Sequence, residues 1–415
     1  MNQPRPLISI LGFLLCATLL LGLVWGIYRF AEKNISGEGF FIQWVGIRAL
    51  LTAGEDPYSD TATAKIRESV IFENSFSQGN APKYTSPLYS GIVVFPAALI
   101  GNRTVAHAFW LSTQLIAISL IQLLALRLSG WKPAWVAFLI FSLLTTFSYH
   151  VLIPWLDGGS AIWAALFLML ALLAIRNNWY ELGGILLALA AIQPQMSILV
   201  IIFTFIWAAS QRKYILVIWF FITLIILSVI GIFIVPDWIR QYIRLLYNYP
   251  ANFPPGNPAA LFTSLWPGLG RQLGWVVTAL SSLVLIVEWW RARKKDFRWF
   301  LWTACLTLAV GQWIGIPTIP GNFISLLIPL ILFAALLSEH WLKGGPWVVV
   351  VISLILFSWE WALYYRDITS ANAGMQLNLL IPLPLILILG LYWVRWWATK
   401  PRRLLIEELR FGQSY

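Results

Sequence analysis

Runs of apolar residues separated by short polar breaks organise the chain from end to end. Several runs reach the roughly 20 residues that cross a hydrocarbon core about 30 Å thick, and each of these predicts a transmembrane helix. The first, Leu7 to Phe30, follows a single Arg5. It exceeds the roughly 7 to 15 residues of a signal-peptide core and reads as an uncleaved anchor with its N-terminus inside. Two long polar segments interrupt the pattern: 31–85, a first outer loop, and 236–272, a second one rich in Pro and aromatic residues. The apolar runs add up to about twelve crossings. Residues 86–100 are short and hold Pro87 and Pro96, so they either enter and leave on one side or make half a span. Residues 181–210 break at Gln193-Pro194, giving two short spans or a re-entrant hairpin. Irregular backbone at membrane depth survives only inside protein or along a wet cavity. The expected fold class is all-α, a single polytopic integral membrane domain over residues 1–415.

Composition removes the main alternative. Of 415 residues 60% are hydrophobic and 11% charged, against about a quarter charged in soluble domains, which excludes a soluble globule. A net charge of +11 in a soluble chain would raise nucleic acid as a partner. Here the basic residues cluster beside apolar runs, as topology signals and lipid-headgroup contacts, and no nucleic acid is expected. Arg127, Lys132, Arg176, Arg212, Lys213, the 291–298 cluster, Lys343 and the basic tail over 395–415 share one side. By the positive-inside rule that side is cytoplasmic, with both termini, and both long polar segments face outward from the cell membrane. Cys16 and Cys305 sit inside apolar runs as small hydrophobes, and three dispersed histidines give no metal-binding spacing. No internal repeat is evident, and charges within the runs are rare, Glu288 and Glu360 lying near span ends. A proton relay or voltage sensor therefore has little to work with.

The polar chemistry is concentrated outside. The first outer loop carries five basic and seven acidic residues, 5 − 7 = −2. Within it Phe40, Phe41, Trp44, Val45 and Leu51 recur at roughly helical spacing, with Gly54 and Pro57 as stop signals. They predict a short amphipathic helix in the outer headgroup layer, aromatic side down. Asp56-Pro57-Tyr58 predicts a turn, after which Ser59 or Asp60 caps a second short helix, Thr61 to Phe72.

Three stretches carry a family resemblance. Trp44-x3-Arg48-Ala49-Leu50-Leu51-x2-Gly54-Glu55-Asp56-Pro57-Tyr58, with Tyr84-Thr85-Ser86-Pro87 after it, resembles the first outer loop of glycosyltransferase family 87. That family belongs to the GT-C class of integral-membrane enzymes. Gly183-Gly184 through Gln193-Pro194-Gln195 is similar to the family's Gly-rich helix ending in a Lys-Pro step. Ile316-Pro317 through Pro329 is similar to its late Pro-containing outer turn. The resemblance implies transfer of a hexose, often mannose, from a polyprenyl-phosphate donor to a lipid or glycan acceptor on the outer face. It also implies a first-loop carboxylate as general base. The sequence departs from the pattern at three positions. Gly39 stands where the family has its acidic residue, with Glu38 beside it; Gln193 replaces the Lys; Asn322 occupies the position where a His is often found.

Glu38 is the favoured base, against the reading of a solvated loop carboxylate that favours a helix N-terminus. Asp56 is the second catalytic candidate or, beside Pro57, a turn residue. Lys83 contacts a donor phosphate or snorkels at the surface. Arg48 faces the site or merely solvent, and Tyr58 and Tyr84 accompany it within the motif as substrate-binding candidates. Arg240, Arg244 and Arg271 run against the positive-inside trend, which makes them candidate phosphate ligands. Asp157 is a second acidic group facing a cavity or a turn cap. Gln193 is a ligand or a polar helix break, and Asn322 a polar position in the late turn. No soluble nucleotide cofactor is implied, and a divalent cation on Glu55, Asp56 and Asp60 stays open. The partners expected are the polyprenyl-phosphate sugar, the acceptor and membrane lipids. Two rival readings are a catalytically inactive relative that binds polyprenyl lipids and a lipid-linked glycan translocator.

Overall fold

A computed structural model describes residues 6–33, 37–69, 82–248, 257–314, 316, 320–340, 344–369 and 380–399. Among them the regular structure is helical throughout. Five helices are long and apolar enough to cross a membrane, or six if one pair bent by 56° counts as a single span. The first apolar run forms a further helix of 28 residues, Pro6–Lys33, and other apolar runs form helices of 10–17 residues. The protein is an all-helical membrane protein. The described chain divides into two compact units.

The first unit comprises residues up to Tyr84, Gly91–Ile116 and Leu156–Gly159. It holds α1 (Pro6–Lys33), α2 (Glu38–Ala53), α3 (Asp60–Ser69), α4 (Gly91–Ala98) and the start of α5 (Arg103–Ser129). α2 ends where the sequence signals it. Gly54 adopts φ +66°, its N–H bonds the Leu50 carbonyl at 3.0 Å, and the Glu55 N–H reaches the Ala49 carbonyl at 3.3 Å. A residue with a Cβ is strained in that left-handed conformation. The aromatic face of α2 does not lie in a headgroup layer as expected. Phe40, Phe41 and Trp44 are at most 7% exposed, because α4 and α5 cover them. The Trp44 indole N–H donates to the Ala97 carbonyl at 3.0 Å, and Phe40 stacks on His107 and Trp110. Of the expected stripe only Leu51 stays outside, 42% exposed. Ser59 caps α3, its Oγ accepting the Ala62 N–H at 3.1 Å; the expected end of that helix at Phe72 lies outside the described residues. Residues 86–100 make a 3-10 turn and the eight-residue α4, about 12 Å long and thus too short to cross.

The second unit takes in Thr85–Ser90, Ala117–Trp155 and residues from Ser160 onward. The bent pair is α6 (Trp135–Thr146) and α7 (Tyr149–Asp157). Gln122 ties α5 to α6, donating to Thr145 Oγ1 at 2.9 Å and Thr146 Oγ1 at 3.1 Å and accepting from Ser142. Then follow α8 (Ala161–Arg176), α9 (Tyr180–Ala190), α10 (Pro194–Ser210) and α11 (Tyr214–Ile234). Gly184 lets α9 touch the backbone of α11: a Cβ there would stand 2.3 Å from the Leu216 carbonyl oxygen. Small residues permit this approach between membrane helices, where lipid gives no hydrophobic drive to associate. The expected break falls between α9 and α10, and Tyr89 donates its hydroxyl to the Ala191 carbonyl freed there, at 2.9 Å.

α12 (Trp238–Asn248) and α13 (Pro258–Leu265) come from the second polar segment, and α13 packs on α14 (Gly270–Ala292). α15 (Phe297–Gly311) is almost wholly buried and contains Cys305. A 3-10 turn over Pro320–Leu326 leads into α16 (Leu327–His340), followed by α17 (Gly345–Thr369), α18 (Pro382–Trp393) and α19 (Arg395–Thr399). The two acidic residues expected near span ends are both buried, and each lies beside a basic or titratable side chain. Glu288 pairs with Arg395 at 2.9 Å and Arg291 at 3.2 Å, while a Glu360 carboxylate oxygen lies 3.1 Å from His150 Nδ1 without a hydrogen bond between them.

Candidate functional site

The site grows from the first turn of α2. The opening N–H groups of any helix lack partners within it and carry partial positive charge. Here Asp157, at the end of α7, supplies an acceptor: its Oδ1 takes the Gly39 N–H at 3.2 Å. The Gly159 N–H bonds the same carboxylate. The turn 157–159 is itself held by α5. Trp110 donates its indole N–H to the Gly158 carbonyl at 2.7 Å, and Gln114 donates Nε2 to the Gly159 carbonyl at 2.8 Å. Gly158 has φ +71° and its Cα faces Phe40, where an added Cβ would come within 2.7 Å of the Phe40 Cβ. No side chain fits that conformation and that space together.

Glu38 begins α2, half-buried. Its carboxylate makes no hydrogen bond among the described residues. Burial, and after it the negative charge of Asp157, raises its pKa above the ordinary 4.5. A carboxylate so placed is a better proton acceptor than one in water, and an approaching hydroxyl meets no competitor for its lone pairs. Asp157 thus caps the start of α2, one residue along from Glu38.

The other first-loop candidates take structural partners. Asp56 closes its turn, Oδ1 accepting the Tyr58 N–H at 2.9 Å. Arg48 donates to the Ala98 carbonyl at 3.0 Å, closing the C-terminus of α4, and leans on the Trp44 ring. Tyr84 is 1% exposed, wedged against Gly46 and edge-on to Tyr58. Lys83 is exposed. Glu55 pairs with Lys65 at 2.5 Å, and Asp60 is exposed in the first turn of α3. No group of three His, Cys, Asp or Glu side chains gathers among the described residues.

In the second unit Gln193 and Asn322 find each other. Gln193 Nε2 donates to Asn322 Oδ1 at 2.8 Å, and Ser160 Oγ donates to Gln193 Oε1 at 3.3 Å. Asn322 is 2% exposed. Arg240 and Arg244 are exposed one turn apart on α12, and Arg271 is exposed at the start of α14. Trp110, Gln114 and His107 were not singled out from the sequence. The signal was there: Arg103, His107 and Gln114 recur at helical spacing inside an apolar run, so α5 has a polar face. In comparisons with protein-family models, curated proteins and solved structures, nothing matches this chain.

Proposed function

We propose that the protein is a GT-C-type membrane glycosyltransferase, moving a mannose-like hexose from a polyprenyl-phosphate donor to a lipid or glycan hydroxyl at the outer face of the cell membrane. On this reading the chain crosses about twelve times, counting its shorter apolar helices, with both termini inside. One observation carries the chemistry: the half-buried Glu38 carboxylate at the start of α2, without a hydrogen bond among the described residues and next to the residue whose N–H Asp157 accepts, in a membrane protein. The acceptor oxygen attacks the anomeric carbon and gives its proton to Glu38. The bond from that carbon to the phosphate oxygen breaks, and polyprenyl phosphate leaves with the electron pair. Arg240, Arg244 and Arg271 are the exposed cations we assign to lipid phosphates.

A second reading has its own observation. Two neutral amides, Gln193 and Asn322, satisfy each other where the resembled family carries Lys and often His. That favours an inactive relative that binds polyprenyl lipids.

The test is release of free polyprenyl phosphate by protein in lipid nanodiscs, given a panel of polyprenyl-phosphate sugars and a cell-envelope lipid extract. Glu38→Gln is expected to lower release by 100-fold or more, on the order of a lost general base, with donor binding retained. The carboxylate must be ionised to act, so the acid limb of the wild-type rate profile lies above pH 4.5. Release unaffected by Glu38→Gln sinks the assignment, and binding without release from any donor and acceptor supports the second reading.

A further inference from the structure

We propose that His150 and Glu360 form a proton-binding site inside the helical body, which holds one exchangeable proton in common and, while it does, fastens α7 to α17. Nothing in this site depends on the transfer reaction. Its residues all belong to the second unit.

Folding brings together two groups that lie far apart in the chain. Glu360 precedes Arg366, the end of an apolar span, by six residues, which places it about 9 Å inside that span at 1.5 Å per residue. His150 is the second residue of α7, just past the 56° bend from α6. Glu360 is 0% and His150 1% exposed, and Glu360 Oε1 lies 3.1 Å from His150 Nδ1. Neither carboxylate oxygen and neither ring nitrogen has a hydrogen-bond partner among the described residues. The separation is within hydrogen-bonding range, so the pair lacks alignment and not reach. An ionisable residue inside a membrane span is disfavoured unless it is paired or used.

The surroundings close the site to other partners. Tyr149, 2% exposed, packs on Tyr364 at 5.3 Å and on Trp361 at 6.2 Å between ring centroids, and Phe323 lies 5.3 Å from the His150 ring. Trp361 also donates its indole N–H to the Phe147 carbonyl at 2.9 Å, so α17 holds the bend one residue from Glu360. No guanidinium or ammonium group pairs with Glu360 among the described residues. α6 and the 320–326 turn contain no ionisable side chain. Further along α17 come Tyr364, Tyr365 and the exposed Arg366. α16 carries Glu339 and His340 as its last two residues, with His340 against Trp397, and α18 has Tyr392 alone. Asp157, at the other end of α7, serves the Gly39 N–H.

Glu288 supplies the contrast. That buried carboxylate has two guanidiniums, Arg395 and Arg291, whose charge is permanent. Glu360 has an imidazole, whose charge depends on a single proton. A lone anion in a dry apolar place is strongly disfavoured, and here only a proton is in reach to neutralise it. With that proton the pair has no net charge and one hydrogen bond can join α7 to α17. Without it the packing offers the carboxylate nothing, and the two helices must part to admit water. The proton comes from solvent water and returns to it.

The chain has three histidines, so NMR of the full-length protein in nanodiscs, with histidine and glutamate isotopically labelled, can follow both partners against pH. The ring signals lost in His150→Gln and the carboxyl signal lost in Glu360→Gln identify them. In wild type both are expected to move at one common midpoint, because interacting groups titrate as a pair. The Val151 and Leu152 amides, which bond the Ser148 carbonyl at 3.2 and 2.8 Å, are expected to lose hydrogen-exchange protection above that midpoint. The double variant His150→Gln with Glu360→Gln puts two neutral amides in place of the pair and is expected to keep its protection across the same range. Signals that stay still wherever the protein is folded, or that move at separate midpoints, overturn the proposal. So does protection that is unchanged through the common midpoint, or a double variant that loses it as wild type does. Should the double variant fail to fold, the wild-type curves decide by themselves.

Discussion

Trp110 gives its indole N–H to the Gly158 carbonyl at 2.7 Å, at a place only 1% exposed. Trp110→Phe keeps the ring and strands that carbonyl without a donor. A buried acceptor left unpaired costs about 1–3 kcal/mol, so the variant is expected to melt earlier in nanodiscs, and an unchanged melting temperature would show that the 157–159 turn finds another donor. Single residues were unevenly legible in the sequence. Glu38 stood out as a carboxylate at a helix start, and Asp56 was readable as a turn because Asp before Pro bonds its own backbone. Asp157 stayed open between two roles, since its partner Gly39 is 118 residues away and nothing local encodes that meeting. Arg48 was read as facing either the site or solvent, yet it serves the Ala98 carbonyl. A charged side chain's address depends on which unsatisfied backbone group folding brings near it, and spacing along one helix does not contain that information.

Helix boundaries were read more reliably than helix surroundings. Gly54 stops α2, Ser59 caps α3 and the Gln193-Pro194 step separates α9 from α10, each through chemistry confined to three or four residues. The fate of the aromatic stripe on α2 was not readable, because an apolar face demands cover without naming it. In an isolated segment a lipid headgroup layer would do; here α4 and α5 are there first. Contact between helices turns on small residues in the same way. Gly184→Ala places a methyl 2.3 Å from the Leu216 carbonyl oxygen, which α9 and α11 relieve only by moving apart. Overpacking of this kind costs about 1–3 kcal/mol. Thermal unfolding is the measurement, and a loss well under that range would mean that the two helices slide without penalty.

Across the whole chain, the membrane class follows from composition alone, and basic residues were read as topology signals. One of them has a second task. Arg395, at the start of the expected cytoplasmic tail, holds the buried Glu288 carboxylate at 2.9 and 3.1 Å, while residues 400–415 lie outside the described structure. Arg395→Ala leaves that carboxylate with Arg291 alone and is expected to cost up to about 3–5 kcal/mol. Adding Glu288→Gln should recover a large part of it, and a double-mutant cycle of melting temperatures reads the coupling. A coupling near zero would return Arg395 to the role of a topology signal. The number of crossings was less legible than the class, since several apolar runs are folded as helices of 10–17 residues. Finally, α11 and α14 are 21 and 23 residues long, and only 17% of the apolar window of each is buried. At 1.5 Å per residue they span about 32 and 35 Å. Those flanks are wetted by acyl chains, so the surrounding bilayer acts as a solvent of defined thickness. In short-chain lipid both helices must tilt or the leaflets must stretch, and the melting temperature then becomes a property of acyl-chain length as much as of sequence.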